Sequence, residues 1–173
     1  KTRNKAREPM AMYGAGVGVL SFRHDLAERE RSVIDKALEI VGRCLRQPGV
    51  VMEDPEAVKQ YIRLHIGGET IEVFCVLYLD AQNKMIAFDK PFAGTLTQTN
   101  VYPREVVRAA LAHGASAVIL AHNHPSGAIH PSRADEALTQ TLKAALALVD
   151  VRVLDHVIVG GDKALSMAEK GLL

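Results

Sequence analysis

Apolar residues recur along this chain in two periods, and the switches between them mark out its elements. From Ser32 the spacing is helical: Ile34, Ala37, Leu38, Val41 and Leu45 fall three and four residues apart, and Pro48-Gly49 ends the run. Asp54-Pro55 reads as an N-cap followed by a first-turn proline, opening a helix through Val58 and Ile62 that stops at Gly67-Gly68. Ile71–Leu79 is rich in β-branched and aromatic residues, and Met85–Phe92 mirrors it across Asp80–Lys84, which predicts a β-hairpin. After a polar stretch at Gly94–Asn100, Pro103 starts a helix with Val106, Val107, Ala110 and Leu111 on its apolar face and Gly114 as its C-cap.

Ser116–Ala121 is almost wholly apolar, so it reads as a strand buried on both faces. A loop with two prolines and a glycine runs from His122 to Pro131. A helix follows from about Ser132 to Val149, with Ala137, Leu138, Thr141, Leu142, Ala145 and Leu146 expected inward. Val151–Val159 is a further strand, and a short helix is expected near Ser166–Lys170. This order of helices and strands predicts an α/β domain, a mixed sheet with helices on both faces. No internal repeat interrupts it.

Composition narrows the class. The 173 residues suit one domain, and 48% apolar against 24% charged residues is a globular balance that excludes wholesale disorder. The net charge of +1 gives the whole molecule no bias towards nucleic acid. Residues 1–31 read as a flexible arm preceding a domain over 32–173, with Lys1, Arg3, Lys5 and Arg7 making the start of that arm basic. Its Gly14-x-Gly16-x-Gly18 lacks the preceding strand and the Lys-Ser/Thr of a phosphate loop. No apolar run approaches the roughly 20 residues of a membrane helix, and Met10–Leu20 is not a signal peptide, so a cytoplasmic protein is expected. Cys44 and Cys75 form no Cys-x-x-Cys pair. They exclude a cysteine-rich zinc module and a disulfide framework, suit a reducing compartment, and are expected to pack as small hydrophobes.

The chemistry concentrates where the apolar strand meets the Pro/Gly loop. Alternate side chains of an extended backbone share a face, so His122 and His124 can point to one place while Asn123 points away. Separated from His124 by ten residues, Asp135 falls in the first turn of the next helix, able to add a carboxylate. Two nitrogens and one oxygen leave the fourth position of a tetrahedral zinc open, which is the mark of a catalytic rather than a structural site. Bound zinc would lower the pKa of a water there from about 15.7 towards roughly 7. Such a site needs a general base and a donor for the oxyanion. Ser132 begins the same helix as Asp135 and offers a hydroxyl. Glu72, among Ile71, Val73 and Phe74, is a carboxylate in apolar surroundings that needs a partner; Glu69, Asp89 and Glu105 are alternatives that spacing does not separate from it.

Each piece has a plainer reading on its own. Ser132-x-x-Asp135 fits a helix capping pattern, the histidine pair fits loop polarity, and Glu72 fits an edge-strand carboxylate reaching water. Their joint occurrence is what those readings explain poorly.

The string Glu72…His122-x-His124-x7-Ser132-x2-Asp135 resembles the JAMM pattern of the MPN-domain metalloproteases. His122–Gly127 and Pro131–Asp135, flanked by Gly94-Thr95-Leu96, Pro103-Arg104-Glu105 and Asp155–Gly160, look specifically like the bacterial RadC-like JAB domain, over about residues 32–173. The resemblance implies a three-layer α/β/α fold of the cytidine-deaminase-like kind and zinc-dependent hydrolysis of peptide or isopeptide bonds in a peptide or protein substrate. It also implies the roles: His122, His124 and Asp135 as zinc ligands, Glu72 as base and Ser132 as oxyanion donor. Longer members of that family carry an N-terminal helix-hairpin-helix region, for which this chain is expected to have no room. His156, next to Asp155, either supports a zinc histidine or makes a core hydrogen bond, and the structural reading is favoured.

Other classes fit less well. A DNA-repair or nuclease role is suggested by the RadC name, and nucleic acid stays a conceivable partner. However, the contiguous His-Asn-His is not the nuclease motif of that spelling, and phosphodiester cleavage usually wants a carboxylate-rich or two-metal site. The His-x-Glu…Pro-Cys-x-x-Cys signature of zinc deaminases is missing. A catalytically silent binding module would have less reason to keep the full set. Ser126 lacks a nucleophile elbow and belongs to turn chemistry with Pro125 and Gly127. His130 reads as an exposed loop residue, and His24, His65 and His113 as residues without convergent partners.

Overall fold

The computed structural model describes residues 27–46, 54–94 and 101–173. The basic and Gly-rich parts of the N-terminal arm, the Pro48-Gly49 stop, the Cys44 side chain and most of the polar stretch before Pro103 lie outside the described residues.

The elements follow from local chemistry. Helix α1 (Glu28–Arg46) starts earlier than the expected Ser32. Glu28 and Glu30 in its first turn favour the positive end of the helix dipole, and Glu30 accepts the Ala27 N–H at 2.9 Å. Helix α2 (Pro55–Ile66) is capped by Asp54, whose side chain accepts the Glu56 N–H. Strands β1 (Val73–Leu79) and β2 (Met85–Ala93) form the expected hairpin, its loop closed by Asp80 accepting the N–H groups of Gln82 and Lys84. Helix α3 (Pro103–His113) ends at Gly114, which is left-handed at φ 62°. Strand β3 (Ala117–Asn123), helix α4 (Arg133–Ala147) and strand β4 (Arg152–Gly160) follow.

The chain then departs from expectation. Instead of a terminal helix near Ser166–Lys170, Lys163–Ser166 forms strand β5 and the residues after it turn. Gly161, at φ 61°, lets a two-residue turn fold the chain back on β4. Pairing with the open edge of β4 offers more hydrogen bonds than a short isolated helix could make. Asp155 and Ser166 then accept the Ala168 and Glu169 N–H groups, holding the tail as turns.

The five strands make one mixed sheet in the order β2-β1-β3-β4-β5, antiparallel except for the β3–β4 pair. Alternation along the strands divides the core in two. Cys75, Leu77, Leu79, Ile119, Ala121, Val157 and Val159 pack with Val58, Tyr61, Ile62 and Ile66 of α2. Phe74, Val76, Tyr78, Val118 and Leu120 pack on the other side with Val106 and Ala110 of α3 and Leu142 and Leu146 of α4. Layers of helix, sheet and helix result, with all seven residues of β3 buried between them. Each fully buried leucine or isoleucine in these layers contributes about 1.5–3 kcal/mol. Cys75 packs as a small hydrophobe, its thiol pushed up to about 12 by burial.

Helix α4 is rotated from the expected setting. Leu142 and Leu146 face inward as predicted, but Ala137 and Thr141 are exposed and Thr139 is fully buried. Leu111 of α3 also lies on the surface. Among the described residues no helix is long and apolar enough to cross a membrane.

Candidate metal centre

Strand β3 continues two residues past Ala121, so His122 sits within the sheet between Phe74 of β1 and Ile158 of β4. The His124 N–H still donates to the Val159 carbonyl at 2.8 Å, keeping the backbone extended. The two imidazoles therefore share the α4 side while Asn123 turns to the α2 side. The following loop packs directly on Gly160, where a Cβ would stand 2.4 Å from the Gly127 carbonyl oxygen and 2.8 Å from that of Ala128. That close approach lets Ala128 O reach His124 Nδ1 at 2.9 Å. Ser132 then caps α4. Its Oγ accepts the Asp135 N–H, and Asp135 Oδ2 accepts both the Ser132 N–H and its hydroxyl at 2.7 Å. Capping and ligation are compatible, because the cap is what holds the Asp135 carboxylate towards the sheet.

Three donor atoms converge there. His122 Nε2 lies 2.9 Å from His124 Nε2 and 3.4 Å from Asp135 Oδ1, and His124 Nε2 lies 3.6 Å from Asp135 Oδ2. All are within 4.8 Å of one another, the one such cluster among the described residues. Zinc held tetrahedrally at its usual bond lengths has ligand atoms about 3.3–3.5 Å apart. The nitrogen–oxygen separations, one to each oxygen of the carboxylate, lie at or just beyond that range and the nitrogen–nitrogen separation is shorter, so the three side chains converge on one point that such an ion would occupy with small shifts.

Charge agrees with this geometry. Burial pulls the His122 imidazole down to about 4, with Asp135 opposing, so the ring is neutral and able to ligate at pH 7. His124 moves the other way: its contact with Asp135, the Ala128 carbonyl and the Glu72 charge together outweigh burial and raise it. Burial alone would raise the Asp135 carboxyl, but His124, His122 and Ser132 hold it below the usual carboxylate range.

Glu72 lies one residue before β1 rather than within it, half-buried, and its charge is felt at His124. The alternatives are engaged elsewhere: Glu69 with Lys90 at 2.9 Å, Asp89 with His113 at 2.9 Å, and Glu105 with Arg108 at 2.7 Å. Thus His113, expected to lack a convergent partner, has one in Asp89. The segment carrying Glu72 is held by Asn123, which is 2% exposed. Asn123 Oδ1 accepts the Val73 N–H at 2.8 Å, and Nδ2 donates to the Ile71 and Glu69 carbonyls at 3.0 and 3.3 Å.

Sequence reasoning did not single out Asn123, Gly160 or Thr139, and for His156 it favoured a core hydrogen bond over support of His122 or His124. His156 Nε2 lies 2.8 Å from His122 Nδ1, and its Nδ1 lies 2.6 Å from Thr139 Oγ1. One cue was present: Thr139 is four residues, about one helical turn, beyond Asp135 and so on its face. His130 and Ser126 are exposed, and Ser126 Oγ accepts the Ala128 N–H at 3.4 Å as a turn residue.

The profile of the RadC-like JAB domain matches residues 52–172, a stretch that takes in Glu72, His122, His124, Ser132 and Asp135. A UPF0758 protein of Acidovorax sp. (strain JS42) is 60% identical over 151 residues, covering 86% of this chain and 63% of the relative. One of Variovorax paradoxus (strain S110) is 57% identical over 149 residues, covering 84% and 66%. One of Janthinobacterium sp. (strain Marseille) is 49% identical over 166 residues, covering 94% and 74%. The chain thus spans less than two thirds of the length of the Acidovorax relative. The matched profile and the high identity of these relatives, together with the three-layer α/β fold, place this chain in the RadC-like JAB domain family.

Proposed function

We propose that this domain is a zinc-dependent hydrolase of peptide or isopeptide bonds in a peptide or protein substrate. The observation that carries the reading is the convergence of His122 Nε2, His124 Nε2 and an Asp135 carboxylate oxygen within 4.8 Å of one another, with no fourth protein ligand among the described residues. When bound, zinc supplies Lewis acidity to a substrate carbonyl and lowers the pKa of a water in the fourth position. Glu72, whose charge is felt at His124, is the base that takes a proton from the attacking water and delivers it to the leaving amine. Ser132 is the oxyanion donor. Its hydroxyl rests on Asp135 Oδ2 and would swing from that oxygen to the substrate's, while its backbone N–H keeps the carboxylate in place.

Metal analysis of the purified protein should give about one zinc per chain, lost in His122→Ala. Glu72→Gln should keep that zinc and lose about 10²–10⁴ of the hydrolysis rate on fluorogenic peptides and lysine-ε-linked dipeptides. A protein that holds no metal at saturating zinc would refute the reading, and a Glu72→Gln variant of normal activity would refute the base.

A further inference from the structure

We propose that Thr139 and His156 form a one-way hydrogen-bond relay that locks His122 in the tautomer with Nε2 unprotonated and facing Asp135 and His124. Thr139, which touches none of the three ligating atoms, is then a positioning residue that sets the affinity for zinc. The inference rests on the metal-centre reading but not on the hydrolase reading.

Direction in the relay follows from its last member. The Asp135 carbonyl oxygen can only accept, and it lies 2.6 Å from Thr139 Oγ1. The proton between them must be the Thr139 hydroxyl proton, since two oxygen lone pairs do not meet at that distance. The other acceptor in range, Met167 Sδ at 3.8 Å, is weaker and longer. With its one proton committed, Thr139 Oγ1 faces His156 Nδ1 at 2.6 Å as an acceptor, so His156 Nδ1 carries a proton. A proton on both nitrogens would make His156 a fully buried cation between two neutral neighbours, which its surroundings do not support. His156 Nε2 is therefore bare, and the nitrogen 2.8 Å from it, His122 Nδ1, is the donor. That leaves the lone pair of a neutral His122 on Nε2, 3.4 Å from Asp135 Oδ1 and 2.9 Å from His124 Nε2, so any proton between the two Nε2 atoms of the metal-free chain belongs to His124.

Burial makes the relay strict. Thr139 and His156 have no exposed surface and His122 has 2%, so water cannot replace a missing member. Phe74 closes the remaining side, with its ring edge-on to His156 and stacked near His122. The relay also joins two ligands through a third element: it starts on the backbone of Asp135 in α4, crosses β4 at His156 and ends on His122 in β3. The same bonds that choose the tautomer seat the first turn of α4 on the sheet. Without the Thr139 hydroxyl, His156 is free to carry its proton on Nε2. That proton would donate to His122 Nδ1 and force the His122 proton onto Nε2, where it blocks the metal.

The test uses the full chain stripped of metal, with zinc itself as the probe. Nitrogen–proton correlation spectra of the wild-type imidazoles should show His122 protonated on Nδ1 and bare on Nε2. Competition against a chromophoric chelator should show zinc binding weakened about 10- to 100-fold in Thr139→Val, with Thr139→Ser within about threefold of wild type. Spectra of Thr139→Val should show His122 divided between tautomers, which loss of packing alone would not produce. A wild-type His122 protonated on Nε2, or equal zinc affinity in Thr139→Val and wild type, would overturn the relay. Because the tautomer is read on the wild-type protein, an unfolded variant does not protect the proposal. A wild type that shows the expected tautomer but never binds zinc would instead sink the metal-centre reading.

Discussion

Removing the Asn123 side chain tests the proposed base apart from the proposed metal site, because the residue lies between His122 and His124 yet faces away from both. In Asn123→Ala three hydrogen bonds vanish, two buried at 2.8 and 3.3 Å and one part-buried at 3.0 Å. The Val73 N–H is the heaviest loss, since an unsatisfied buried donor costs about 1–3 kcal/mol. The Ile71 and Glu69 carbonyls add less, because an oxygen tolerates a missing partner better than an N–H does. The sum is about 2–4 kcal/mol, or a melting temperature lower by roughly 4–16 °C for a domain of this size. Urea unfolding of wild type and variant measures it directly. Zinc stoichiometry should hold, since His122 and His124 occupy the opposite side of β3, while hydrolysis falls as Glu72 loses its fixed backbone. Asn123→Asp sharpens the test. It keeps an acceptor for Val73 but aims a carboxylate at two carbonyls, so it should be no more stable than alanine at neutral pH and recover as acid protonates it. Unfolding of Asn123→Ala within about 0.5 kcal/mol of wild type would show that these bonds do not hold the segment.

Two further outcomes follow from the same geometry. Gly160→Ala should fold but bind zinc about tenfold more weakly, because its Cβ displaces the Ala128 carbonyl from His124; wild-type affinity in the chelator competition would contradict the close packing. The metal-free protein should lose stability as pH falls from 6.5 towards about 4, the window between the unfolded and folded values of His122. Within it the unfolded imidazole takes a proton that the buried one refuses. The gap corresponds to about 3 kcal/mol at about 1.4 kcal/mol per pH unit. His156, also pushed down by burial, acts in the same sense, and His124, raised by Asp135, opposes. Urea curves of chelator-treated protein at about pH 7 and about pH 4.5 check this, and equal midpoints would contradict the burial argument.

Much of the site could be read from the sequence because its rules are local. A strand's period of two puts His122 and His124 on one face whatever surrounds them. A capping serine three residues before an acid places Asp135 in a first helical turn with equal independence. Hydrophobic period likewise gave the α/β order of elements up to β4. It failed at the last one, because a four-residue segment carries too little periodicity to choose between helix and strand. The open edge of β4 made that choice.

Other features were decided only when the layers came together. Thr139 and Thr141 both border the apolar stripe of α4, and pattern alone favoured Thr141. The docking of Asp135 against β3 sets the helix rotation, and that rotation buries Thr139 against His156 instead. Spacing left four acids open as the base: Glu69, Asp89 and Glu105 pair with Lys90, His113 and Arg108, residues 21, 24 and 3 positions away in the chain, and the charge of Glu72 is felt at His124. The amino-acid order by itself determined which chemical groups the chain presents and on which face of each element they stand. Tertiary packing alone decided which groups meet, because convergence of β3, β4 and α4 on one point depends on interactions between segments that no local rule contains.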